Sequence, residues 1–438
     1  MRSAGSRDFD VIIVGAGVIG AAMAALLVAR KLSTPGRVAI IADRFPAAGA
    51  PSTGANPSAA DVADLDWDLR VFALSRASER LLDICGVWDS LPRDRVFAYE
   101  RMCVWDANGA PRGKGSIAFD CAQIGEPNLG YIVEGRALQS QCLKIARHAG
   151  IVTIEGQLDS LAIGESDVSV RLSDGRELRS QLLIAADGTE SKTRALLGIE
   201  TAGHAYHQDA LVAHVRTACA HGNTAWQRFL GSGPLAFLPL PDGRSSIVWS
   251  AARPEAARLG ALDRSAFGAA LTAASGEVLG ECELTTAVAS FPLKLQYALE
   301  YARPRAVLLG DAAHAVHPLA GQGLNLGLLD CAALAEVLGG AGAAVRFGEY
   351  RLLRRYERWR RSENLLAAAA LDGLERLFSS ADPVSAGLRV AGLSAVDKIP
   401  FIKRRFAQRA LGLAGDVPAF LKGEYAAGRP GAGRGPVD

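Results

Sequence analysis

The chain has 438 residues, more than one ordinary domain holds, so two interleaved or sequential domains with extensions are expected. Apolar residues make up 49% and charged residues 21%, a core-rich globular composition that excludes a disordered chain. Lys and Arg total 48 against 46 for Asp and Glu, and a net charge of +2 excludes nucleic acid as the main partner, which would favour a basic excess.

Near the start, Val11 to Ala29 runs without a charge, long enough to resemble a membrane span, for which roughly 18 apolar residues suffice. Gly15, Gly17 and Gly20 interrupt it and Asp8 and Asp10 precede it, so the stretch reads as strand, turn and helix, and not as a span or a signal peptide. Phe9–Val14 is a short apolar run suited to a buried parallel strand, Val18–Lys31 is a helix rich in Ala and Leu, and Val38–Ala42 is a second strand. Together they form a βαβ unit and set the fold class as α/β.

Met102–Asp120 and Ala210–Ser250 alternate apolar and polar residues around the turn signals Asn108-Gly109 and Pro241-Asp242-Gly243, a pattern that predicts an inserted antiparallel sheet. Leu182–Ala186 and Ala306–Leu309 are further buried strands, each ending in a Gly-containing turn. Helical spacing covers Leu324–Leu338 and Glu349–Phe378. From Gly387 to Leu411, six basic residues (Arg389, Lys398, Lys403, Arg404, Arg405, Arg409) face one acidic residue, Asp397, with Ile399, Phe401, Ile402 and Phe406 between them. Such a basic amphipathic stretch either lies on an anionic membrane surface or packs its apolar side inward. Gly423–Asp438 is rich in Gly, Pro and Arg and is expected to be disordered.

The predicted architecture is a Rossmann-like domain (1–90, 130–200, 296–340), an interleaved antiparallel-sheet domain (91–129, 201–295), a helical C-terminal region (341–422) and the tail (423–438). The seven cysteines are scattered without a C-x-x-C pair, which suits buried thiols in a reducing cytoplasm. His314-x-x-His317 is the one ligand-like spacing, and no metal is expected.

Three separated segments carry nucleotide chemistry. Gly15-Ala-Gly17-Val-Ile-Gly20 follows a strand and opens a helix: Gly15 allows the tight turn, Gly17 lets a pyrophosphate approach the backbone, and Gly20 lets helix and strand pack closely. The acidic residue that should bind the ribose is Asp43, one place beyond its usual position, where Ala42 stands; the alternative is a loop cap. Asp187-Gly188 follows the second apolar strand. Gly310-Asp311 precedes Pro318-Leu-Ala-Gly321-Gln322-Gly323-Leu324-Asn325, a glycine-crowded loop at a helix start, where free N–H groups suit an anionic ring edge.

These segments, in this order, resemble the FAD-dependent aromatic hydroxylases. His317-Pro-Leu-Ala-Gly-Gln-Gly-Leu-Asn-Leu-Gly327 is similar to the ubiquinone-biosynthesis hydroxylases of the UbiH/UbiI type, with further support from Asp68–Ser75, Leu129–Glu134, Leu235–Leu240 and Leu353–Arg358. The resemblance implies FAD, with Gly15, Gly17 and Gly20 on its pyrophosphate and Arg70 at its phosphates, unless Arg70 is a surface residue at a helix start. It also implies Asp311 at the ribityl chain, Gly321, Gln322, Gly323, Leu324 and Asn325 along the flavin ring, and Asp187 and Gly188 between FAD and a transient nicotinamide. His314 and His317 become loop residues near the flavin.

The implied reaction uses NAD(P)H or another electron donor and dioxygen, through a flavin hydroperoxide, to hydroxylate a lipophilic aromatic substrate. No catalytic base stands out; Tyr131, Tyr206 and His207 are the candidates. The resemblance favours a cytoplasmic protein held peripherally on the membrane's inner face through 387–411, within reach of a quinone-biosynthesis complex. The other readings are an epoxidase or reductase of a lipophilic substrate, or a non-catalytic flavin-binding subunit.

Overall fold

The structure is a computed structural model that describes residues 7–46, 67–316, 321–340, 347–379 and 383–422. Its larger core surrounds an eight-stranded sheet. The central strand, Arg7–Val14, lies parallel between Val38–Ala42 and Glu177–Ala185, and Ala306–Leu308 and Val152–Glu155 extend the sheet in parallel on either side. The inner strands are buried on both faces, which is why their sequences read as continuous Val/Ile/Leu/Ala runs without alternation. The helix Val18–Ala29 buries Ala21 through Leu27 against this sheet, and Gly135–His148 and Gln322–Gly339 pack beside it.

Because these strands run parallel, their carboxyl ends fall on one rim. Gly15, Asp43, Asp187 and Gly310-Asp311 all emerge there, from adjacent strands. A crevice at the carboxyl ends of a parallel sheet is where this class of fold binds ligands.

A nine-stranded sheet forms the second layer, in the order His314–Ala315, Ala289–Ala298, Thr201–Thr217, Ser245–Ala252, Gly233–Pro239, Thr224–Leu230, Arg101–Asp106, Ser116–Asp120, with Cys282–Leu284 beside Thr201–Thr217. It is antiparallel, as expected, apart from one pair: Thr224–Leu230 runs parallel to Arg101–Asp106 at the seam between the two sequence segments that build it. Alternate residues face opposite ways. Leu211, Ala213, Val215, Ile247 and Trp249 pack under the helices Arg253–Gly260 and Arg264–Ser275, through Leu259, Phe267 and Leu271. The other face looks toward the crevice. A three-stranded sheet (Val71–Leu74, Gly130–Glu134, Val96–Tyr99) lies at the junction.

Tyr350–Ser379 forms one 30-residue helix, followed by Pro383–Asp397 and Pro400–Ala410. The helix Pro383–Asp397 is fastened to the sheet edge: Ser394 Oγ accepts from the Gly115 N–H at 2.8 Å, and Asp397 Oδ1 accepts from the Ala118 N–H at 3.1 Å. Arg389, counted above among membrane-facing cations, is instead buried: its Nε meets Asp106 Oδ2 at 2.8 Å and Nη1 donates to Leu377 O. Lys403 likewise pairs with Asp397 at 2.9 Å. Among the described residues no helix is long and apolar enough to cross a membrane. The expected disorder of Gly423–Asp438 lies outside the described residues.

Candidate cofactor and substrate site

One continuous cleft of about 1690 Å³ lies between the two large sheets, and every residue expected at the cofactor from sequence lines it except Gly20. Gly15 sits at φ +115°, and a Cβ there would come within 2.2 Å of Ala186 O, so the close approach of the first strand's end to the Ala186 turn requires glycine. Gly20 packs the helix against the strand: it is buried one turn into the helix, where a Cβ would meet Gly15 O at 2.0 Å. Gly17 differs: it caps the helix Val18–Ala29, nothing lies within 4 Å of its Cβ position, no side chain caps the helix, and the first turn has no acidic residue. The backbone N–H groups of this helix start therefore point into open, uncompeted space, which fits a pyrophosphate.

A second uncapped helix start faces the same cleft. Gly321, at φ +62°, precedes Gln322–Gly339, and again there is no side-chain cap and no acidic residue in the first turn. Gly323 has open space at its Cβ position. Asn325 is buried and holds this turn in place: its Oδ1 accepts from the Ser75 N–H at 2.9 Å and Ser78 Oγ at 2.7 Å, while Nδ2 donates to Ala73 O at 2.8 Å. Its side chain is committed to the protein, leaving the backbone of Gly321–Asn325 for a ligand.

Asp43 follows the strand Val38–Ala42 by one residue, is exposed to the cleft, and accepts from Gln157 Nε2 at 3.2 Å. Arg70 is exposed at the cleft, before the strand Val71–Leu74 and not at a helix start, with its guanidinium 5.6 Å from the Phe72 ring. Asp187 accepts from Ser191 Oγ and from the Thr193 N–H at 2.9 Å, so its carboxylate closes the turn onto the short helix Lys192–Leu196. Gly188 continues that turn at φ +82°. Asp311 is exposed where it opens onto the cleft, and desolvation by the surrounding protein pushes its carboxyl up despite Arg70 and His314 nearby.

Two buried groups that support these loops were not legible from sequence. Arg194 ties the second segment to the third, donating to Ala312 O at 3.0 Å and to Thr189 O at 2.9 Å. Asp330 anchors the Gly310 turn. It accepts from the Gly310 N–H at 3.2 Å, meets His314 Nε2 at 2.6 Å and Arg360 Nε at 2.7 Å, and accepts from Asn364 Nδ2 at 3.0 Å. Burial alone would raise the Asp330 carboxyl; His314 and Arg360 reverse that and hold it below its ordinary range. His314 is thus not a loop residue. It sits on a two-residue strand, buried, with its ring turned to Asp330. His317 lies outside the described residues.

The candidate bases fare differently from the cofactor residues, because none lines the cleft. Tyr131 accepts from Arg76 Nη1 and Asn128 Nδ2 and packs on Trp88, with burial raising its phenol. Tyr206 donates to Asp372 Oδ1 at 3.1 Å, and burial first, then Asp372, raises its phenol. His207 is an exposed residue at φ +55° where the strand bulges.

The far half of the cleft is apolar. The second sheet contributes Val104, Phe229, Ala236 and Val248, and the C-terminal helices contribute Leu371, Phe378, Leu393 and Val396. Phe378 stacks on Phe229 at 3.8 Å, joining the long helix to the sheet across the cleft floor. Among the described residues, no group of His, Cys, Asp and Glu forms a metal site.

Residues 142–367 match the FAD binding domain family. The chain is 32% identical to 3-demethoxyubiquinol 3-hydroxylase of Escherichia coli over 93% of its length and 100% of that protein's. It is 35% identical to the ubiquinone hydroxylase UbiL of Rhodospirillum rubrum (96% and 94% covered) and 32% identical to the human ubiquinone biosynthesis monooxygenase COQ6 (91% of each). The fold matches p-nitrophenol 4-monooxygenase PnpA from Pseudomonas putida (TM-score 0.70, 17% identity, 92% and 98% covered). It also matches HpxO of Klebsiella pneumoniae complexed with FAD and uric acid (TM-score 0.68, 17% identity, 91% and 96% covered). With the uncapped glycine turns, the parallel-strand rim and the apolar half-cleft described above, these likenesses place the chain in the ubiquinone-biosynthesis hydroxylase family of FAD-dependent monooxygenases.

Proposed function

We propose that the protein hydroxylates the aromatic ring of a polyprenylated phenol in ubiquinone biosynthesis, taking oxygen from dioxygen and electrons from NAD(P)H or a protein donor. The observation that carries this reading is the division of one cleft into two chemistries. Uncapped helix starts at Gly17 and Gly321 lie at one end, and an apolar chamber roofed by helices at the other.

Bound FAD supplies the electron transfer and the activation of oxygen. Gly15 and Gly17 hold its pyrophosphate at the first helix start, Gly20 keeps that helix close to the strand, and Arg70 is the nearby cation. Asp43 takes the ribose, and Asp311 a ribityl hydroxyl. The N–H groups of Gly321, Gln322, Gly323, Leu324 and Asn325 offer fixed dipoles to the anionic ring edge. Gly188 and the backbone of Asp187 border the approach of a nicotinamide.

The apolar walls exclude water and orient the ring. Among the described residues no carboxylate or imidazole lies on the sheet or helix walls of the apolar half, so the chain provides no evident base there. The substrate's own ring oxygen is left to make the ring electron-rich.

The helix Pro400–Ala410 supports peripheral membrane contact. Phe401 is 75% and Phe406 60% exposed, with Ile399, Lys398, Arg404 and Arg405 also exposed around them. Phe406 borders the cleft as well, so a bilayer-resident substrate would meet the cavity wall where the protein meets lipid. A strain lacking the gene should accumulate a quinone precursor short of one ring hydroxyl, detected by mass spectrometry. A full complement of unaltered quinone with no accumulated precursor would contradict the reading.

A further inference from the structure

The sheet face that lines the chamber is mostly apolar, with Gln227 at its centre and Ser246 and Ser250 beside it. Gln227 lies on Thr224–Leu230, paired across one edge with Val104 and across the other with Ala236, whose next neighbour is Val248. Cross-strand partners share a face, so this row presents three aliphatic side chains and one primary amide to the cleft. Gln227 is 6% exposed, and its amide makes no hydrogen bond among the described residues. Arg228, next along the strand, lies on the opposite face, where it donates to Ala274 O and Ala107 O.

The Gln227 amide carries two donors and an acceptor that reach the open cleft, and a purely apolar occupant would strip them of water without giving them a partner. Two serines sit nearby on the same face: Ser246 and Ser250 flank Val248, and Ser246 Oγ also lacks a partner among the described residues. Ala236, opposite Gln227, is small enough to leave room above the amide. Among the described residues the chamber-facing side of this sheet thus gathers its hydrogen-bonding groups on one patch.

We propose that Gln227 is a specificity residue that hydrogen-bonds a ring oxygen of the substrate, assisted by Ser246 or Ser250, and so fixes which ring carbon faces the cofactor end of the cleft. This inference rests on the reading of the substrate as a prenylated phenol. It explains a polar group where a chamber built only for a hydrocarbon tail would have none. A site built to hydrogen-bond a hydroxyl discriminates against analogues lacking it, because its own polar group is then left unpaired.

The test uses FAD-loaded wild-type protein with Gln227→Leu and Gln227→Met, and two probes: a phenol bearing a two-unit prenyl tail and the same compound without the hydroxyl. Binding is read from the perturbation of flavin absorbance. The wild type should bind the phenol about tenfold more tightly than the hydrocarbon, the scale of one net hydrogen bond. Both variants should bring the two probes within about twofold, keep full FAD content, and unfold at the same temperature as wild type or higher. Variants that discriminate as the wild type does would overturn the assignment. So would variants that retain FAD but unfold at clearly lower temperature, since the amide would then be serving the fold. A wild type that binds neither probe would overturn the substrate class itself, and this assignment with it; binding without discrimination by the wild type would overturn the assignment alone.

Discussion

His214 is a fully buried imidazole on the strand Thr201–Thr217, directly paired with Ser246. Burial, and then the charge of Arg244, push its pKa down to about 4 from an ordinary 6.5. The folded state therefore resists protonation more than the unfolded state does. The stability this neutral ring contributes is present above pH 6.5 and is lost as pH falls toward 4. At 1.36 kcal/mol per pH unit the loss is on the order of 3 kcal/mol by pH 4. Urea unfolding at pH 7 and pH 4.5 should show this drop in the wild type and a much smaller one in His214→Phe; equal drops in the two proteins would remove His214 as the cause. Residues of this kind were least legible beforehand. Asp330 falls within the helical run Leu324–Leu338, yet its partners His314, Arg360 and Asn364 lie 16, 30 and 34 positions away, and only the fold brings them together.

Among elements, the helix starts were legible because glycine spacing reports backbone needs directly, whereas packing partners are not local. Gly17 and Gly20 separate the two roles. A Cβ at Gly20 meets the Gly15 carbonyl, while one at Gly17 meets nothing. Gly20→Ala should lower the melting temperature of the apoprotein, since the strand–helix crossing must open. Gly17→Val should leave apoprotein melting nearly unchanged and weaken FAD binding at least about tenfold, by occupying the space the pyrophosphate needs. Calorimetry of both apoproteins and flavin titration check this; a Gly17→Val protein with wild-type FAD affinity would show that the first helix start is not the phosphate site. The helix Pro383–Asp397 shows the converse. Arg389 reads as one more cation on a basic stretch, but its carboxylate partner, Asp106, is 283 residues away on another element. Burying that pair turns part of the stretch into a wall of the cleft.

For the whole molecule, alternation, apolar runs and the three glycine segments were enough to announce a parallel-sheet layer and a second, inserted sheet. The parallel seam between Thr224–Leu230 and Arg101–Asp106 was not legible, because strand order across an insertion leaves no local pattern. The site followed the same division: its cofactor half is written in motifs, whereas its substrate half is assembled from single residues on many strands and helices. What remains basic and exposed after Arg389 and Lys403 are taken up is the surface around Phe401 and Phe406. Wild-type protein should cosediment with phosphatidylglycerol vesicles, and Phe401→Asp/Phe406→Asp should reduce this several-fold while keeping FAD; undiminished cosedimentation would place the contact elsewhere.

The central claim, that this cleft uses FAD to put one atom of dioxygen on a phenolic ring, is tested most directly with isotope. Purified protein with its FAD reduced photochemically, mixed with a short-tailed prenylated phenol under ¹⁸O₂, should give a ring-hydroxylated product carrying one ¹⁸O atom, the second atom leaving as water. Reoxidation that yields only hydrogen peroxide and unchanged phenol, or a hydroxylated product whose new oxygen comes from solvent, would contradict it.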